Sequence, residues 1–112
     1  MRVSLQALDG IYGKPAVGAQ ARLEFAVAGQ WSKVAHATTN EDGVIASFVD
    51  RQLRPGLYRV VVDSDLYYSG LGFTAAYPEI VISVRVSVEP DDHQVSVVLT
   101  PYAYSLFFGD RA

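Results

Sequence analysis

The sequence predicts an all-β fold, a two-sheet β-sandwich of seven to eight strands with one short helix. Three observations lead there. Apolar and polar residues alternate with period two in run after run, Gly-, Pro-, Asn- and Asp-rich turns separate the runs, and one stretch alone breaks the alternation. At 112 residues the chain is expected to be one domain, residues 1–112, without repeat or linker.

The elements follow in order. "RVSLQALD" sets Val3, Leu5 and Ala7 against Ser4, Gln6 and Leu8, and "DGIYGKP" supplies a loop. "AQARLEFAV" places Ala21, Leu23 and Phe25 inward and Arg22 and Glu24 outward. "WSKVAHATT" reads as a mixed strand, "NEDG" as a tight turn, "VIASFV" as a short strand and "LYRVVVD" as a longer one. In "SDLYYSGLG" the alternation stops: Asp63 or Ser64 caps a two-turn helix that Gly70 or Gly72 ends. "EIVISVRVSV" is the cleanest strand, with Ile80, Ile82, Val84, Val86 and Val88 on one face. "EPDD" turns the chain into "HQVSVVLT", and the tail "LTPYAYSLFFGDRA" completes the set.

Half of the residues are apolar and 19% are charged, which excludes a disordered chain. A net charge of −3 with scattered Lys and Arg gives no basic footprint, so neither nucleic acid nor an anionic membrane is an expected partner. The chain has no cysteine, hence no disulfide framework and no thiolate site. Without a leader-like or spanning apolar run, a cytoplasmic location is expected. The tail alternates Tyr102, Tyr104, Leu106 and Phe108 with Ala103, Ser105, Phe107 and Gly109, so neither face is truly polar. One face packs on its own core; the other needs a cover, which is another subunit, a ligand or both.

Several strings, in order, resemble the transthyretin and 5-hydroxyisourate hydrolase family: "LQALDGIYGKPAVGAQARLE", "TTNEDG", "PGLYRVVVDSDLYYSGLG", "YPEI" and "LTPYAYSLFFGD". "YPE" and "PYAYS" look more like the hydrolase branch than the hormone-carrier branch. The resemblance implies a sandwich of two four-stranded sheets and a homotetramer, a dimer of dimers around a central channel that covers the second face of the tail. Neither histidine pairs with another at metal-ligand spacing and there is no cysteine, so no metal and no cofactor are expected.

The resemblance also shows what is replaced. The hydrolase branch carries histidine in "H-V-L-D", arginine after the "D-G" turn, histidine in "H-V-P" and a "Y-R-G-S" tail, a set suited to activating water beside an anionic ring. Here those positions hold Gln6, Val44, Gln94, Phe108 and Asp110. Loss of all five polar groups points to a pocket rebuilt for a different ligand, one that is neutral and fairly apolar. Gln6 and Gln94 either satisfy each other or fix a ligand amide. Val44 and Phe108 are expected as apolar walls, with Tyr102 and Tyr104 as interface packing or weak donors. Asp110 is either a solvated terminal carboxylate or a general base. His93 is one residue out of phase and reaches the pocket only through a bulge or slip, and His36 reads as a surface or interface histidine. The expected function is binding of a neutral small molecule and, if catalytic, its cyclisation, isomerisation or ring opening. An atypical 5-hydroxyisourate hydrolase and a non-catalytic binding or structural protein are the alternatives.

Overall fold

The computed structural model describes residues 2–87 and 92–110 and, among them, nine strands and one helix. Strands β1 (Arg2–Asp9), β2 (Lys14–Pro15), β3 (Gln20–Val27), β4 (Gln30–Thr38), β5 (Val44–Ile45) and β6 (Gly56–Val62) precede helix α1 (Ser64–Ser69). Strands β7 (Ile80–Val86), β8 (Asp92–Leu99) and β9 (Tyr104–Asp110) follow it. The expected turn at 89–91 and the inward Val88 lie outside the described residues.

Two sheets form, one in the order β2-β1-β8-β9 with β5 also on β1, the other in the order β4-β3-β6-β7. The strand count exceeds the expected seven to eight because β2, read as loop, makes a two-residue pairing with Leu8 and Asp9. The expected strand "VIASFV" shrinks to Val44–Ile45, paired with Gln6 and Leu5. β1 and β8 run parallel, which requires a crossover, and the second sheet is built within it.

Alternation decides the core. Val3, Leu5 and Ala7 meet Val95, Val97 and Leu99 from the first sheet, and Leu23, Tyr58, Val60, Val62, Ile80 and Ile82 face them from the second. All are buried, and Leu5 or Leu23 cut to Ala would cost about 2–5 kcal/mol. Strand β7 keeps strict alternation, buried at Ile80, Ile82, Val84 and Val86 and exposed between them. Phe25, expected inside, is only half-buried at the end of β3, beyond a register shift at Leu23/Glu24.

Turns follow local chemistry. At Gly43 (φ 74°) a Cβ would collide with the Ala7 carbonyl, whose residue's N–H donates to Gly43 O at 2.8 Å; glycine there lets the "NEDG" turn lie against β1. Asp63 caps α1 by accepting from Leu66 N at 2.9 Å, and Gly70 ends it.

Outward Glu24 is buried despite its charge, because Arg59 and Arg22 both bind its carboxylate and Arg22 also reaches Glu79 at 3.0 Å. Burial pushes the Glu24 carboxyl up, and the bonds from Arg59 and Arg22 together outweigh it, holding the group below its usual value of 4.5. A lowered carboxylate pKa contributes stability above the unfolded value and loses it as pH falls through the folded one. Glu24→Gln is therefore expected to be less stable at neutral pH, with the gap to wild type closing as pH falls below about 4.5. Urea midpoints across that range check it, and a gap constant with pH would refute the linkage.

Candidate functional site

The candidate site is the outer face of the first sheet, and strand register fixes its membership. Directly paired residues share a face. Gln6 pairs Ser96 and Val44, Gln94 pairs Ser4 and Gly109, Ser96 pairs Phe107, and Val98 pairs Leu8 and Ser105. These residues point away from a core already filled by their neighbours in sequence.

The Gln94 side-chain amide donates to Gln6 Oε1 at 3.3 Å and to Ser96 Oγ at 3.1 Å. The two glutamines thus meet although they lie on different strands, one of the two arrangements the sequence left open. An amide pair sharing one hydrogen bond still leaves a donor on one partner and an acceptor on the other. Beside them lies a depression of about 160 Å³, walled by Gln6, Leu8, Ser96, Val98, Ser105 and Phe107. Its lining, which also takes in Val97 and Leu106, holds two hydroxyls, one amide and five apolar side chains, and none is ionisable. Leu8, Val98 and Phe107 are exposed, Phe107 at 66%.

The other expected site residues are placed by the same register. Phe108 is not a wall of this face: it pairs with Val95 on the core side and stacks on His93, centroids 5.4 Å apart and rings 4° from parallel. The aromatic on the face is Phe107, one residue earlier. Tyr104 pairs Leu99 and sets its ring edge-on to Tyr77 at 5.2 Å, also away from the glutamines. Tyr102 precedes β9, exposed at 73%, and joins neither face. Val44 alone of the expected apolar walls flanks Gln6. The Asp110 backbone pairs with His93, and its side chain lies outside the described residues.

The histidines stay apart from the site. His93 is 3% exposed on the core face, its Nε2 3.3 Å from Ser87 O, so β8 contains neither bulge nor slip to bring it outward. His36 is exposed on β4, opposite Arg22 on the second sheet. Among the described residues no three His, Cys, Asp or Glu side chains cluster to hold a metal.

The missed residues had a signal. Once Val95, Val97 and Leu99 are assigned to the core, Gln94, Ser96 and Val98 must face out. The antiparallel return through "TPYA" then brings Ser105 and Phe107 beside them, provided the turn is counted through its pairing of Leu99 with Tyr104.

Known proteins share this architecture. The HIUase/Transthyretin family model matches residues 3–109. The chain is 30% identical over 108 residues to the 5-hydroxyisourate hydrolase of Salmonella dublin, a match covering 96% of this chain and 79% of that protein. It is 27% identical over 110 residues to the 5-hydroxyisourate hydrolase of Mus musculus, covering 96% and 93%. Sea bream transthyretin, solved in complex with thyroxine, superposes with a TM-score of 0.93 over 100% of this chain and 98% of that one, at 22% identity. At that identity the likeness is one of fold.

Proposed function

The chain belongs to the HIUase/Transthyretin family, and from that membership we propose that it is a cytoplasmic homotetramer binding a neutral small molecule on the outer face of its first sheet. The observation that carries this reading is the chemistry of the depression: Gln6, Ser96 and Ser105 offer uncharged hydrogen bonds, and Leu8, Val98 and Phe107 offer apolar wall. The exposed apolar groups on that face support its cover by a second copy. Gln6 and Gln94 orient the ligand and Val44 closes one side. If the ligand is turned over, the reaction is a cyclisation, isomerisation or ring opening directed by shape and hydrogen bonding.

Hydrolysis of 5-hydroxyisourate is the second reading, favoured by the near-full-length match to the Salmonella and mouse hydrolases. Activating water near pH 7 calls for a group that titrates there. The side chains that line the depression include no imidazole and no carboxylate, and on that ground we place the binding reading first.

One assay separates them. Freshly generated 5-hydroxyisourate is expected to decay at its spontaneous rate whether or not the pure protein is present. Acceleration above that rate that Gln94→Leu abolishes would establish the hydrolase reading instead. Native mass spectrometry of protein taken gently from its host is expected to show a tetramer carrying a small neutral molecule.

A further inference from the structure

We infer that the chain has a second small-molecule site, for an anion carried on a flat aromatic ring, where the 46–55 segment folds over β3 and β4. It is independent of the outer-face pocket and uses none of its residues. A cavity of about 290 Å³ opens there. Phe25, Val34, Leu53 and Tyr58 line its apolar part, and Arg51, Gln52 and Arg54 form its rim.

The floor is built. Phe25 and Tyr58 pack with centroids 4.6 Å apart and planes 42° tilted. Leu53 is 4% exposed and anchors the segment in the core. The Tyr58 hydroxyl donates to the Arg54 carbonyl at 2.7 Å, fixing the backbone from which that arginine springs. The Arg54 guanidinium in turn lies 4.8 Å from the centre of the Phe25 ring. These ties order the rim before any ligand arrives, which lowers the cost of binding.

The rim is cationic and without a carboxylate. Arg22 and Arg59 elsewhere in the fold are held by Glu24 and Glu79, whereas Arg51 and Arg54 have no carboxylate partner among the described residues. In a chain of net charge −3, two guanidinium groups without a carboxylate partner, one of them packed on the Phe25 ring of the floor, form a local positive spot. Guanidinium forks match carboxylate and phosphate oxygens bidentately. An inorganic anion would answer the rim and leave the floor wet; a neutral ring would answer the floor and leave the arginines without a partner. An aryl phosphate or aryl carboxylate answers both.

The test titrates phenyl phosphate, inorganic phosphate and benzyl alcohol into the full-length protein at low salt, following backbone amide shifts by NMR. Phenyl phosphate is expected to shift Val34, Arg51, Gln52 and Arg54 saturably, at least about tenfold more tightly than either control, since ring and charge each contribute. Arg51→Gln with Arg54→Gln should remove the response; Arg51→Gln alone, which keeps the Arg54–Phe25 packing, should weaken it. Gln94→Leu should leave it unchanged, so the outcome does not depend on the outer-face proposal. Equal binding of either control, or retention of affinity in the double variant, would overturn the assignment.

Discussion

Asp9→Ala is expected to lower stability by about 3 kcal/mol or more, the largest single effect outside the apolar core. Asp9 ends β1 fully buried, and its carboxylate organises the chain reversal after it. Oδ1 accepts from Ile11 N at 2.9 Å and Tyr12 N at 3.3 Å, and Oδ2 accepts from the Tyr67 hydroxyl at 2.7 Å. The truncation strips three donors of an ionised acceptor and leaves a hole beneath α1. Burial and the hydrogen bond to Asp9 push the Tyr67 phenol far up, so it stays a donor throughout the physiological range.

Two conservative changes isolate the hydrogen-bonding part. Tyr67→Phe should cost about 2 kcal/mol, as expected for losing a bond to a charged acceptor. Tyr68 is fully buried where Tyr67 is half-buried, and its hydroxyl has no hydrogen-bond partner among the described residues. Burial and the nearby Asp9 charge push its phenol up to about 12. Tyr68→Phe removes an unsatisfied polar atom while keeping the ring, so it should be neutral or gain about 1 kcal/mol. Urea unfolding of the three variants decides this: equal costs for Tyr67→Phe and Tyr68→Phe would mean that the Asp9 contact does not carry the energy.

The sequence made some of this legible and hid the rest, for definite reasons. Alternation in "IVISVRV" and "RVSLQAL" had one physical solution, since a one-residue slip would put valines in water, and both strands formed where expected. The cap at Asp63 was equally local. Asp9 sat in a "DG" that reads as ordinary turn chemistry; its partner Tyr67 is far away in sequence, and no local pattern announces such a bond. The tail failed for a related reason. Both parities of "YSLFFG" are apolar, so hydrophobicity could not choose between Phe107 and Phe108, and the register with β8 decided it. The meeting of Gln6 and Gln94 stayed open in the sequence, because a parallel β1–β8 pair cannot be read from either strand alone.

Gln94→Leu should then have the largest effect on the proposed ligand binding, a loss of about 10- to 100-fold with the state of assembly unchanged. Gln94 is the donor that joins Gln6 to Ser96, so its removal frees two polar groups inside the face rather than one. Gln6 and Ser96 are half-buried; once a ligand covers them, a polar group left without its partner costs about 1–3 kcal/mol, which sets the size of the loss. Gln6→Leu, which sacrifices only one end of the pair, should cost less. Phe107→Ala tests the opposite component: it removes apolar wall without touching the amides, and should weaken binding without altering selectivity for hydrogen-bonding ligands. The three variants are read by titrating the molecule recovered with the native protein, with the assembly checked by native mass spectrometry. If both glutamine variants bind as wild type does, the amide pair serves only to satisfy itself, and the function of this face must be sought in packing between subunits.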